Sequence, residues 1–151
     1  MIQRIQSVYI LVAIALQGLS LILNWSTYIA DDTAYYLSGL NTSYDKVDSS
    51  PLTLGILLSL ALIIVTLFVY KNRSQQLRIA NVSIIQLVVT LGLFSWVHYQ
   101  CIEALKVDFS SLDIGYGIAV VFPIISGILI WLAKKAIKKD DDLIKSVDRL
   151  R

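Results

Sequence analysis

The sequence predicts an all-α membrane protein, an antiparallel bundle of four transmembrane helices with the N- and C-termini in the cytoplasm. Three observations predict this fold class: four long uncharged apolar stretches, a low content of charged residues, and basic residues sorted to one side. Of the 151 residues, 56% are hydrophobic and only 16% are charged, whereas a soluble domain has about 25% charged residues. A hydrocarbon core about 30 Å thick is crossed by roughly 20 apolar residues of helix. We therefore expect one transmembrane domain, residues 1–151, with spans at about residues 5–26, 52–70, 79–101 and 114–133 and a charged cytoplasmic tail, residues 134–151.

The distribution of basic residues predicts the orientation of this bundle. The loops after the first and third spans contain Lys46 and Lys106 among seven acidic residues. The remaining eleven basic residues lie before the first span, between the second and third, or after the fourth: Arg4, Lys71, Arg73, Arg78, Lys134, Lys135, Lys138, Lys139, Lys145, Arg149 and Arg151. Because Lys and Arg near span ends are retained in the cytoplasm, we expect both termini there and the two acidic loops outside.

The first span is predicted to be a retained helix and not a cleaved signal peptide. Its apolar stretch exceeds the roughly 7–15 residues of a signal-peptide core, and no A-x-A cleavage pattern follows it. Gln6, Gln17 and Ser20 recur near whole helical turns. We expect their shared face to point into the bundle, because an amide is unfavourable in lipid. Trp25 and Tyr28 fall where an outer aromatic belt would lie.

The loop between the first two spans, residues 26–51, is polar, acidic and rich in tyrosine. Residues 33–40 are compatible with a short strand or hairpin arm, although the Gly39-Leu40-Asn41 sequence is weak evidence for a turn. The sequence leaves two interpretations open here, a small ordered β element or an ordinary polar loop.

The second and third spans are predicted to form a tight antiparallel hairpin. The second begins just after Pro51, a residue favoured at helix starts, and the link at residues 71–78 is short. In the third span, Thr90 lies one turn after Gln86 on the same face. We expect Gln86 and Thr90 to form an intramembrane polar stripe that the bundle encloses.

The fourth span is predicted to be kinked. Pro123 lies near its centre, where it frees a carbonyl about one turn earlier, near Ala119. We interpret the kink as structural, with a functional hinge as the alternative. The helix is then expected to continue into the tail and to break or bend near residues 140–142. The tail either lies on the membrane or a partner, or serves only as a solvated anchor.

No catalytic, cofactor-binding or metal-binding motif stands out in the sequence. His98, Cys101 and Glu103 cluster near the outward end of the third span, but zinc requires three or four ligands and a Cys nucleophile needs a further orienting group. We interpret these residues as interfacial, with metal or thiol chemistry as the minor alternative. The spans carry no acidic or basic residue at their centres, which disfavours an ion-coupled transporter. Membrane lipids explain the basic tail, so nucleic-acid binding is not indicated.

The two ends of the chain carry a family resemblance. The opening MIQRIQSVY, the terminal SVDRLR and the Phe122-Pro123 pair resemble an uncharacterised family of small four-span membrane proteins of Bacteroidota, a domain of unknown function. The resemblance covers the whole chain and implies a bacterial inner-membrane location without an assigned activity. It draws attention to candidate interaction or topology residues that share the cytoplasmic face: Arg4, Gln6, Asp148, Arg149 and Arg151. We hypothesise that Arg4 or Arg149 pairs with acidic groups across this face or docks a partner.

Taken together, these features favour a non-enzymatic protein. The leading hypothesis is an accessory or scaffold subunit of a larger inner-membrane assembly, in contact with membrane lipids and at least one membrane-protein partner, and without a cofactor. The alternative is a small lipid-, quinone- or hydrophobic-solute-binding protein that uses the polar stripe and the Pro123 kink to line a cavity. A third hypothesis, an outward-facing redox or metal enzyme at His98 and Cys101, is the least favoured.

Overall fold

The computed structural model describes residues 2–31 and 33–148, with the backbone alone for residues 2–4 and 143–148. Over these residues the chain forms four α-helices, three β-strands and one short 3-10 helix. In chain order they are α1 (Ile2–Ile22), β1 (Asn24–Ala30), β2 (Thr33–Ser38), α2 (Ser50–Phe68), α3 (Arg73–Asp108), β3 (Leu112–Tyr116), the 3-10 helix (Ile118–Val120) and α4 (Val121–Asp148).

Each of these four helices is long and apolar enough to cross a membrane. With a rise of about 1.5 Å per residue, the 36 residues of α3 extend about 54 Å. This helix is longer at both ends than the predicted span, residues 79–101. Two helix starts have local causes. Pro51 lies in the first turn of α2, where its missing N–H is not needed. The Asn72 side chain caps α3 by accepting the Gln75 N–H at 3.2 Å.

The helices pack as a ring in which α1 and α3 each contact both α2 and α4. The link between α2 and α3, residues 69–72, lies at the same end of the bundle as the start of α1 and the end of α4. We call this the terminal end, and the opposite end, which carries the strands, the sheet end. One apolar cluster around Trp25, Leu52 and Phe94 fills the sheet end. A second, around Ile63 and Ile130, lies nearer the terminal end.

The strands form an antiparallel sheet in the order β2-β1-β3. In its register Tyr28 of the central strand lies opposite Tyr35 of β2 and Ile114 of β3. The turn between β1 and β2 contains Asp31 at φ 43°, a left-handed conformation that Asp and Asn tolerate better than most residues. A small β element in the loop between the first two helices is thus confirmed. The third strand, contributed by the chain between α3 and α4, was not predicted.

The predicted limits of the first and fourth spans are wrong at the sheet end. The helix α1 ends at Ile22, four residues before the predicted limit, and residues 112–116 form β3 where the fourth span was expected to begin. Trp25 and Tyr28 are consequently buried in β1 and do not form an outer aromatic belt. The Trp25 indole N–H donates to the Ser20 carbonyl at 2.8 Å, so this ring is satisfied inside the protein. An apolar run does not by itself distinguish a buried strand from the last turn of a helix.

The expected kink at Pro123 is also wrong, for the same reason. Because α4 begins at Val121, Pro123 is its third residue and lies in the first turn. Proline is tolerated there, since the first N–H groups of a helix have no intrahelical acceptor. The residue expected to bend a helix instead marks where one begins, just after the 3-10 turn.

The expected break at residues 140–142 does not occur, and α4 continues to Asp148. Asp140 faces the start of α3, where its Oδ2 lies 2.9 Å from Arg73 Nη1. This ion pair holds the extended helix against the bundle at the point where three consecutive aspartates suggested a break.

Candidate functional site

Polar side chains inside the bundle join helices to one another. Gln17 of α1 lies at the centre of one such group. Its Nε2 donates to Ser126 Oγ of α4 at 3.2 Å, and its Oε1 accepts from Ser59 Oγ of α2 at 3.1 Å. All three side chains are fully buried. As expected from their spacing, Gln6, Gln17 and Ser20 all lie on the inner face of α1.

The predicted polar stripe of the third span joins α3 to α2. Thr90 Oγ1 donates to the Gly55 carbonyl at 3.1 Å, and Gln86 Nε2 donates to the same oxygen at 3.4 Å. Thr90 is fully buried, while Gln86 is half-buried. The two side chains are therefore engaged in helix packing, and neither lines a cavity between α3 and α4.

A histidine with three aromatic neighbours lies beneath the sheet. The His98 ring stacks on Phe94 with ring centroids 5.4 Å apart and on Tyr28 at 5.5 Å, and Tyr116 contacts it at 5.3 Å. The Tyr28 hydroxyl lies 2.5 Å from His98 Nδ1. Burial raises the pKa of Tyr28, so its phenol remains the proton donor in this bond. His98 Nδ1 then accepts this hydrogen bond, which assigns the hydrogen of the neutral ring to Nε2.

The other two members of the predicted His98 cluster separate in the structure. Cys101 is fully buried beside Tyr28 and Thr42. Glu103 is exposed and pairs with Lys106 at 3.8 Å. In the described part of the chain, no three His, Cys, Asp or Glu side chains come together in a group that could hold a metal ion. The arrangement supports packing of the sheet on α3.

The sheet end is further fixed by exposed carboxylates. Asp108, at the end of α3, accepts hydrogen bonds from the Tyr44 hydroxyl and from Lys46 Nζ, the latter at 2.5 Å. The hydrogen bond to Asp108 raises the pKa of Tyr44 and that of Lys46. Both side chains therefore keep their protons at neutral pH, and the loop between β2 and α2 stays tied to the end of α3.

The terminal end contains a polar cavity of about 100 Å³ between α1, α3 and α4. It brings together residues far apart in the sequence, and its lining consists of Gln6, Ser7, Tyr70, Arg73, Gln76, Ile137 and Asp140. Gln6 is the one candidate of the cytoplasmic-face group whose side chain is described. The side chains of Arg4 and Asp148, together with Arg149 and Arg151, lie outside the described residues.

A larger, apolar groove of about 420 Å³ runs between α3 and α4 on the outside of the bundle. Its lining includes Pro123, Gly127 and Trp131 of α4. A Cβ added at Gly127 would make only an ordinary contact with Leu87 Cδ1, at 3.9 Å, so a side chain fits at this position of the groove. Pro123, the predicted kink residue, thus lines this groove from the first turn of α4.

The sequence did not predict that Arg73 pairs with Asp140. These residues are 67 positions apart, and neither stands out from the other charges around it. The one local pattern in the sequence is the spacing on α1, which predicted that Gln6 faces the interior of the bundle. The sequence thus predicted one wall of the cavity and not the other two.

The fold and these contacts define the class of protein. Its four apolar helices, joined by interhelical hydrogen bonds and capped by a small sheet, are consistent with a membrane protein. Residues 2–150 match the family described as "Domain of unknown function (DUF4293)", and the chain belongs to that family. The resemblance to an uncharacterised domain family is thereby confirmed. No curated protein and no solved structure matches the chain.

Proposed function

We propose that the protein is a non-enzymatic accessory or scaffold subunit of an inner-membrane assembly in a bacterium of the Bacteroidota. In this proposal both termini and the tail are cytoplasmic, and the sheet lies in the periplasm. The basic residues support the orientation, because Lys71, Arg73, Arg78 and the lysines of α4 lie at the terminal end. The acidic residues Asp31, Asp45, Asp48, Glu103, Asp108 and Asp113 lie at the sheet end.

The interior supports a structural role. A transporter or an intramembrane enzyme requires ionisable or unpaired polar groups along a path through the bundle. Here the deepest polar side chains, those around Gln17 and Thr90, already bond to a neighbouring helix. Such contacts stabilise a fixed bundle. These side chains therefore do not form a path along which a proton or an ion would pass.

The observation that carries the proposal is the open edge of β3 on a sheet that is tied to the bundle. The other outer strand, β2, is covered by its own loop, since the Ser43 N–H donates to the Tyr36 carbonyl at 2.9 Å. Among the described residues, no strand pairs with the outer edge of β3. An unpaired strand edge is a template for binding an extended segment of another chain. Tyr116, at the end of this strand, is 70% exposed, and exposed aromatic side chains are enriched at interfaces.

A photo-crosslinking amino acid at Tyr116 tests this proposal in cells of the native host. The matched control is Tyr99, which is 61% exposed and lies on α3, outside the sheet. We expect a discrete crosslinked protein product from position 116 and none from position 99. Absence of a product at 116, or identical products from both positions, would contradict a docking role for the sheet.

The groove between α3 and α4 favours a second candidate function, binding of a lipid, quinone or other hydrophobic solute. Its volume of about 420 Å³ lies in the range of small-molecule sites, about 300–1,000 Å³. Gly127→Leu would fill the groove, while Gly92→Leu, at a position with open space around it, adds the same side chain elsewhere. For this function, mass spectrometry of extracts from the gently purified protein should find a stoichiometric ligand in the wild type and in Gly92→Leu but not in Gly127→Leu. Equal ligand content in all three proteins would exclude the groove.

A further inference from the structure

The polar cavity at the terminal end contains a buried hydrogen-bond donor that no described residue satisfies. Gln6 is only 7% exposed, and its Nε2 has no partner in the described part of the chain. A buried amide N–H without an acceptor is unfavourable, because it loses its hydrogen bonds to water and gains none within the protein. Because Gln6 lines the cavity, the group that satisfies this donor must enter from the cavity.

The two charged residues of the cavity, Arg73 and Asp140, form an ion pair without a hydrogen bond from Arg73 Nη1. Arg73 Nη1 lies 2.9 Å from Asp140 Oδ2, yet the contact lacks the alignment of a hydrogen bond and this nitrogen is buried without one. A guanidinium has five N–H donors in a planar fork, which match the oxygens of a phosphate. Within the described part of the chain, Gln6 Nε2 and Arg73 Nη1 are therefore donors without a hydrogen-bond acceptor. They lie beside one carboxylate, that of Asp140, which is the ion-pair partner of Arg73.

The cavity lies where the apolar part of the bundle ends. The span of α2 ends at Phe68, two residues before Tyr70 of the cavity lining. Arg73 is the first residue of α3, and Gln6 lies within the first turn and a half of α1. A bilayer around the apolar helices places this level at its polar headgroups. A water occupies roughly 30 Å³ in the liquid, so a cavity of about 100 Å³ admits a group of several heavy atoms.

We propose that this cavity binds a phosphoethanolamine group, the zwitterionic headgroup of phosphatidylethanolamine. The phosphate oxygens accept hydrogen bonds from Gln6 Nε2 and from Arg73, and the ammonium pairs with the Asp140 carboxylate. A purely anionic headgroup would satisfy the donors and face Asp140 with like charge, whereas a zwitterion satisfies both. The inference concerns the terminal end alone and does not depend on the sheet-end interface proposed above.

The experiment titrates the delipidated full-length protein in detergent with four probes, using native mass spectrometry to count bound molecules. Dioleoylphosphatidylethanolamine carries both charges, dioleoylphosphatidylglycerol carries the phosphate alone, and dioleoylglycerol carries neither. Free phosphoethanolamine tests whether the group is taken from a lipid or from solution. We expect one saturable molecule of phosphatidylethanolamine, bound at least fivefold more tightly than phosphatidylglycerol, and no saturable binding of dioleoylglycerol. Equal binding of all three lipids would overturn the site, and free phosphoethanolamine binding as tightly as the lipid would overturn the lipid as its source.

Two variants and a matched control locate the binding. Gln6→Leu should weaken phosphatidylethanolamine binding at least tenfold, while Gln75→Leu, on the exposed face of the same end, should change it less than twofold. Asp140→Asn should remove the preference for phosphatidylethanolamine over phosphatidylglycerol and retain binding of both. Equal weakening by Gln6→Leu and Gln75→Leu, or an unchanged preference in Asp140→Asn, would contradict the assignment.

Thermal unfolding without lipid separates binding from a structural role of Gln6. Since Leu removes an unsatisfied buried donor, lipid-free Gln6→Leu should unfold at the same temperature as the wild type or higher. Added phosphatidylethanolamine should raise the unfolding temperature of the wild type and of Gln75→Leu, and leave that of Gln6→Leu unchanged. A lower unfolding temperature of lipid-free Gln6→Leu would show that the amide stabilises the bundle itself and would overturn the proposal.

Discussion

At the scale of single residues, the bundle is joined by side chains that bond across helices. Gln17 connects three helices because its amide uses both its donor and its acceptor, toward Ser126 and Ser59. In an apolar environment such bonds replace the hydration that an amide would otherwise lack. Their measured worth inside membranes is nonetheless modest, on average about 0.6 kcal/mol and at most about 1.7 kcal/mol.

Replacing Gln17 should therefore lower stability by a small, measurable amount. Gln17→Leu keeps the size of the side chain and removes both interhelical bonds, and we expect the free energy of unfolding to fall by about 1 kcal/mol. Unfolding in mixed detergent micelles measures this change, with the exposed Gln75→Leu as the control that should have no effect. An increase in stability on Gln17→Leu would mean that packing alone holds these helices together.

Asp31 is the residue with the clearest pH dependence outside the helices. The Ser111 hydroxyl and the backbone N–H groups of Ser110 and Ser111 donate to its carboxylate. These bonds lower the pKa of Asp31 to about 2, below the value of about 3.9 expected in an unfolded chain. The stabilisation of this turn is therefore complete above about pH 4 and is lost as the pH falls toward 2.

Hydrogen exchange measures this loss directly. The amides of Ser110 and Ser111 should lose protection, relative to the amides of the sheet, as the pH is lowered through that window. Asp31→Asn, which tolerates the same left-handed backbone and does not titrate, should show low protection at every pH. Protection that is independent of pH in the wild type would argue against an ionised Asp31 as the acceptor.

At the scale of elements, the sequence predicts periodic features well and ambiguous apolar runs poorly. The inner face of α1 followed from the spacing of Gln6, Gln17 and Ser20, because helical geometry fixes which residues share a face. The strands β1 and β3 were missed because their residues continue the apolar runs of the neighbouring helices, and their pairing is between segments about 85 residues apart. Pro123 was placed in mid-helix only because β3 was counted as part of that helix.

Gly117 limits how β3 can join α4. Its N–H donates to the Trp25 carbonyl at 2.9 Å, and a Cβ at this position would collide with the backbone of Asn24. Gly117→Ala should therefore destabilise the protein by about 1–3 kcal/mol, as overpacked sites do. The control is Gly92→Ala, which has open space around it and should be neutral or stabilising because alanine favours helix. Thermal unfolding compares the two variants, and equal unfolding temperatures would contradict the close approach of β3 to β1.

At the scale of the whole molecule, the two ends of the bundle differ in both structure and charge. The sheet end is closed by β-structure and an aromatic cluster, while the terminal end carries most of the basic residues and a polar cavity. The candidate site at the terminal end could be predicted from sequence only in part, since Gln6 has a local pattern and the pairing of Arg73 with Asp140 depends on the fold of the complete chain.

The proposed orientation follows from this asymmetry and can be tested with one pair of cysteine variants. The chain has a single cysteine, Cys101, which is fully buried, so the wild type should not react with a membrane-impermeant maleimide. Ser43 at the sheet end and Ser74 at the terminal end are both exposed. After the outer membrane is made permeable, Ser43→Cys should be labelled while the inner membrane is intact, and Ser74→Cys only after the inner membrane is broken. Lys and Arg residues retain the end that carries them in the cytoplasm. The reverse labelling pattern would therefore mean that the basic terminal end had crossed the membrane. It would contradict the periplasmic location of the sheet, on which the proposed sheet-end interface depends.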